Sequence, residues 1–66
     1  MKIVVNGESR EIADSNSLEN LLSELALPEQ RIAIELNRTV VRKKDWGSTF
    51  INEGDRIEIV HFVGGG

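Results

Sequence analysis

Cysteine is absent from the sequence. Its absence excludes a disulfide framework, a thiolate metal site, a thiol nucleophile and any scheme that carries sulfur on a cysteine side chain. A chain this small without disulfides is expected in the cytoplasm. Histidine is nearly absent too: His61 has no second histidine for a metal pair and no evident carboxylate to orient it. A clustered basic patch is missing, because eight Lys and Arg are intermixed with eleven Asp and Glu for a net charge of −3. That argues against a nucleic-acid surface. No apolar run approaches the roughly 20 residues of a membrane span. Met1-Lys2 leads into "IVV", too short for the apolar region of a secretory signal. Neither an internal repeat nor a linker is evident.

The side chains offer little catalytic chemistry. The carboxylates are scattered, with no spacing that suits a general acid–base pair. Ser15 and Ser17 read as capping residues without an activating neighbour. Gly7, Gly47 and Gly54 are too far apart for a phosphate loop, and Lys43-Lys44 reads as a solvated pair. On side chains alone the chain is not expected to be an enzyme.

What is present is a pattern of alternation. "KIVV" followed by Asn6-Gly7 predicts a hairpin with strands over 2–6 and 8–12, since a type I′ turn needs positive φ at both central residues. Leu18, Leu21, Leu22 and Leu25 fall on one helical stripe within residues 14–28, with Ser17 as N-cap or Asn16 with Glu19 as an alternative start. Pro28 closes that segment and pushes Leu27 out of helical geometry. In "RIAIELN", Ile32, Ile34 and Leu36 alternate against Ala33, Glu35 and Asn37, which predicts a half-buried strand. Asn37-Arg38 reads as a turn, Val40-Val41 as a short return strand, and "RKKDWGS" as a loop or single helical turn anchored by Trp46. Phe50-Ile51 suggests a second brief strand contact and "NEGD" a turn. In the last strand, "RIEIVHF", Ile57, Ile59 and His61 alternate with Glu58, Val60 and Phe62.

A helix laid across one face of a mixed sheet gives an α+β arrangement. Its compact form is a β-grasp, with the first and last strands side by side and the C-terminus leaving a central strand. The expected organisation is a β-grasp domain over 1–63 and a flexible glycine tail over 64–66. Gly64, Gly65 and Gly66 follow an apolar strand directly. Without Cβ atoms such a tail can thread a narrow channel, and three extended residues reach about 10 Å. Its glycine carboxylate, the least hindered a protein can offer, is suited to attack the α-phosphorus of ATP. The acyl-adenylate then accepts sulfide, giving a thiocarboxylate, or a lysine amine, giving an isopeptide. Val60, Phe62 and Val63 are candidates for an apolar docking contact beside the tail; the alternative is that they pack under the loop with Trp46.

"GDRIEIVHFVGGG", the "NG" after "KIVV", and "SLENLLSEL" followed by "IAIELN" together resemble the thiamine-biosynthesis sulfur carrier family, bacterial ubiquitin-like proteins. The resemblance covers essentially the whole chain, with "NRT" and "RKKDW" in the family's variable middle. It implies a β-grasp fold and a protein substrate rather than a catalyst, binding no cofactor itself. By the same resemblance, a ubiquitin-activating-type adenylyltransferase is expected to use ATP and Mg²⁺ to adenylate Gly66, cysteine-desulfurase-derived sulfur to replace AMP, and thiazole synthase to take the sulfur to build the thiazole ring. Gly65 completes the motif and Gly64 is an extra glycine that many members share. Three alternatives stay open. One is a related carrier such as the small subunit of molybdopterin synthase, usually longer. The others are a modifier conjugated to lysines and a β-grasp binding module that ignores its tail.

Overall fold

In the computed structural model, which describes residues 1–62, Asn6 and Gly7 take φ values of 50° and 83°. They close a hairpin between β1 (Lys2–Val5) and β2 (Glu8–Glu11), in which Val5 stands opposite Glu8. Each strand is one residue shorter than the alternation predicts. Asn6 belongs to the turn, and Ile12 lies past the strand end, its amide donating to the Met1 carbonyl at 2.9 Å and its carbonyl accepting from the Met1 ammonium at 2.6 Å.

The helix α1 spans Leu18–Glu24, and Ser17 rather than Asn16 caps it: its hydroxyl accepts from the Asn20 amide at 3.1 Å. Asn16 is buried instead, donating to the Ala13 carbonyl and to Glu24 Oε1. The helix start is pinned from outside. Leu18 N donates to Thr49 O and Ile51 N to Asn16 O, while Ser17 forms an isolated bridge with Phe50. That bridge is the brief strand contact expected of Phe50-Ile51. The helix stops before Pro28 is reached. Leu25 takes the C-cap, and Ala26 follows in the left-handed region at φ 56°. Leu27 N then donates to Leu22 O and Ala26 N to Ser23 O, the paired bonds of a Schellman ending.

β3 (Ile32–Leu36) and β4 (Thr39–Val41) form a second hairpin across Asn37 and Arg38, both with positive φ. A 3₁₀ helix, Lys43–Ser48, follows. Trp46 anchors it: the ring is buried and Nε1 donates to the Val41 carbonyl at 2.9 Å. In the turn before β5 (Arg56–His61), Gly54 has φ 83° and its amide donates to Lys2 O. The Asp55 carboxylate accepts from the Asn52 amide at 2.8 Å and from Asn37 Nδ2 at 3.0 Å. The Gly-Asp pair therefore serves the start of β5.

The sheet order is β2-β1-β5-β3-β4. β5 pairs parallel with β1 and antiparallel with β3, so the sheet is mixed and the last strand lies at its centre. Ile3, Val5, Ile32, Ile34 and Ile57 of the sheet form one buried cluster with Leu18, Leu21 and Leu22 of the helix, Trp46 and Ile51. Leu25, at the cap, is only half-buried. Burying a leucine side chain contributes about 1.5–3 kcal/mol, so three leucines on a two-turn helix account for its docking better than helix propensity does. The result is the α+β β-grasp, one helix across one face of the sheet. Among the described residues no helix is long and apolar enough to cross a membrane.

Candidate functional site

The helix covers one face of the sheet only. Alternation along β5 puts Ile57 and Ile59 on the covered face and Glu58, Val60 and Phe62 on the other. Val60 is 50% and Phe62 53% exposed, so neither packs under the loop with Trp46. Val60 stands opposite Ala33 on β3, and the neighbouring strand adds Val40, 66% exposed, opposite Glu35. Val60, Ala33 and Val40 thus form an apolar strip across three neighbouring strands of the uncovered face, whereas half-buried Val4 on β1 lies level with Arg56, away from it. Phe62 continues the line of β5, its amide donating to Arg31 O at 2.7 Å.

Sequence reasoning singled out Val60 and Phe62 but missed Val40 and Ala33. The signal was available: a two-residue turn at Asn37-Arg38 fixes the register that points Val40 away from the helix. It missed as well that the carboxamides of Asn6 and Asn37, the first central residues of the two turns, both bond to the main chain of β5. Val63, Gly64, Gly65 and Gly66 lie outside the described residues.

The strip suits association, not covalent chemistry. Among the described residues no group of three His, Cys, Asp or Glu side chains converges on a point that would hold a metal ion. His61 is exposed, opposite Ile32. The Ser17 hydroxyl is committed to the helix cap. Of two open surface depressions, one is lined by Met1, Asp14, Ser15, Phe50, Ile51, Asn52 and Glu53. The other lies between Val5, Asn6, Glu8, Arg10, Leu25, Leu27 and Ile59. Neither contains the histidine, and neither is lined by Val60 or Phe62.

Comparison with known proteins adds an independent line. Residues 3–66 match the family model described as the ThiS family. All 66 residues align at 42% identity with 20% of a thiazole synthase of Paramagnetospirillum magneticum. The chain thus spans about a fifth of the length of the first curated relatives it matches. Over 53 residues it is 34% identical to the sulfur carrier protein ThiS of Bacillus subtilis, covering 80% of each chain. The crystal structure of a thiamine biosynthesis protein (ThiS) from Geobacter metallireducens superposes with a TM-score of 0.87 at 32% identity, covering 100% of both chains.

Proposed function

The chain belongs to the ThiS family, and from that premise we propose that it is a sulfur carrier of thiamine biosynthesis, a protein substrate that is itself passed between enzymes. The observation that carries this reading is the reach of the family match, which runs from β1 through Gly64, Gly65 and Gly66. The reactive group is the carboxylate of Gly66. One of its oxygens attacks the α-phosphorus of ATP, pyrophosphate leaves, and an acyl-adenylate remains. Sulfur delivered at the sulfide level attacks the acyl carbon, the bond to AMP breaks, and a thiocarboxylate forms. That sulfur is then given up in thiazole formation. ATP and Mg²⁺ belong to the partner, a ubiquitin-activating-type adenylyltransferase; sulfur comes by way of a cysteine desulfurase, whose persulfide sulfur is reduced to the sulfide level by thiols that are oxidised to a disulfide.

The apolar strip of Val60, Phe62, Val40 and Ala33 is the docking face in this scheme. Its Val60 and Phe62 belong to the stretch of chain that runs on to Gly66, so a partner seated there engages the chain close in sequence to the reacting residue. A thiazole synthase as the acceptor is supported by relatives of that name in which a region similar to the whole chain forms part of the same protein.

Intact mass spectrometry of the protein isolated from its own cells tests the reading. The expected species is heavier than the unmodified chain by the exchange of one oxygen for sulfur, an increment that alkylation of the thiocarboxylate confirms. Adducts to lysines of other proteins would instead identify a modifier. Full function after deletion of Gly65-Gly66 would identify a binding module that uses the sheet face alone.

A further inference from the structure

β5 leads to residues 63–66, and its two neighbours do not border it over the same length. β3 pairs with it from Ile57 to His61, whereas β1 pairs with it at Arg56 and Ile57 and then turns away at Asn6-Gly7. The Asn6 amide still donates to Ile57 O at 2.9 Å. Its side chain then supplies one more rung. Asn6 Oδ1 accepts from the Ile59 amide at 2.7 Å, and Nδ2 donates to the Ile59 carbonyl at 3.3 Å. A single carboxamide thus serves both main-chain polar groups of one β5 residue, as a paired strand would. The left-handed backbone that aims it, φ 50°, is one that asparagine visits more readily than most side chains.

We infer that Asn6 is a positioning residue: its carboxamide stands in for the missing strand and fixes Ile59–Phe62, the segment from which Gly66 is presented to a partner. This rests on the proposed carrier function. Asn37 provides the matched contrast. It is the first central residue of the other turn, at φ 51°, and its Oδ1 accepts from the Arg56 amide at 2.9 Å. Asn37 therefore holds the entry of β5 and Asn6 its exit. Loosening the exit lowers the fraction of molecules ready to dock. A reduced competent fraction weakens apparent binding in proportion and leaves the bound complex unchanged.

The test compares Asn6→Gly with Asn37→Gly, since glycine keeps each turn's positive φ and removes only the carboxamide. Two readouts are taken on the full chain. One is amide hydrogen exchange at Ile59; the other is ATP–pyrophosphate exchange by a ubiquitin-activating-type adenylyltransferase with the carrier as varied substrate. Asn6→Gly is expected to speed Ile59 exchange about tenfold beyond any change at core amides. It is expected to raise KM roughly three- to tenfold, with kcat within about twofold of wild type. Asn37→Gly is expected to lower the melting temperature comparably and to leave KM alone. Wild-type Ile59 protection and KM in Asn6→Gly overturn the inference, and so does an equal rise of KM in Asn37→Gly, which would mark a general effect of stability. If the wild-type chain is not adenylated, the carrier reading falls, and Ile59 exchange by itself still decides whether Asn6 holds the strand.

Discussion

Glu35 and Glu58 stand directly opposite one another on neighbouring strands of the uncovered face. Like charges in that relation oppose sheet formation, and facing pairs of side chains are worth about 0.2–1 kcal/mol in either direction. Glu58→Lys converts the repulsion to attraction and is expected to stabilise the free chain by about 0.5 kcal/mol at low salt. The gain should shrink as screening increases. Chemical denaturation at two ionic strengths measures it; an unchanged midpoint at low salt would mean that the two carboxylates already splay apart into water. A face that keeps such a pair beside its apolar strip gives up some stability of the free domain.

Phe62 carries a second expectation. Its ring is about half exposed on the face away from the helix, so truncation removes little from the core. Phe62→Ala is expected to weaken binding to the adenylyltransferase by about 1–3 kcal/mol, the scale of a hot-spot residue. Titration calorimetry gives the affinity and a thermal melt checks the fold. A variant that unfolds, with its folded fraction binding normally, would make Phe62 a structural residue and remove it from the docking face.

The elements of this fold were legible because each rests on a short-range signal. Asn6-Gly7 specifies a turn, Leu18, Leu21 and Leu22 a buried stripe, and the alternation of Ile32 and Ile34 a strand with one covered face. The end of α1 was not legible. The sequence offers Pro28 as a stop, yet the chain leaves the helix at Ala26, where no glycine announces a left-handed residue. The site was legible in half. Val60 and Phe62 follow from the period of one strand, but Val40 and Ala33 join them only through the register of three strands. The carboxamide of Asn6 reaches Ile59, 53 residues away, a distance across which no local pattern carries information.

Ala26 makes the helix ending testable. An L-residue in the left-handed region costs about 1–2 kcal/mol, which glycine avoids at a smaller cost in chain entropy. Because Ala26 is exposed, Ala26→Gly loses almost no packing. The expected net gain is about 0.5–1 kcal/mol, read as an increase in denaturation midpoint with an unchanged slope. A loss of stability would place the helix end further along the chain, where glycine would interrupt it.

The proposed chemistry stands or falls on the glycines themselves. If the Gly66 carboxylate attacks the α-phosphorus of ATP, its reach and the width of its channel both matter. A misplacement of about 1 Å can cost around a hundredfold in rate. One appended residue moves the terminal carboxylate by about 3.5 Å and places a new side chain next to it. Gly65→Val keeps the length and adds a β-branched side chain one residue before the reacting carbon. Both changes are expected to reduce ATP–pyrophosphate exchange by at least about a hundredfold, with the melting temperature as the control for folding. Phe62→Ala, by contrast, is expected to act on the affinity for the enzyme, so raising the carrier concentration should recover its rate. Saturating carrier should not recover the rate of Gly65→Val if the valine blocks the approach to the nucleotide. Exchange at the wild-type rate in both tail variants would mean that adenylation does not use the Gly66 carboxylate, and the carrier mechanism would have to be abandoned.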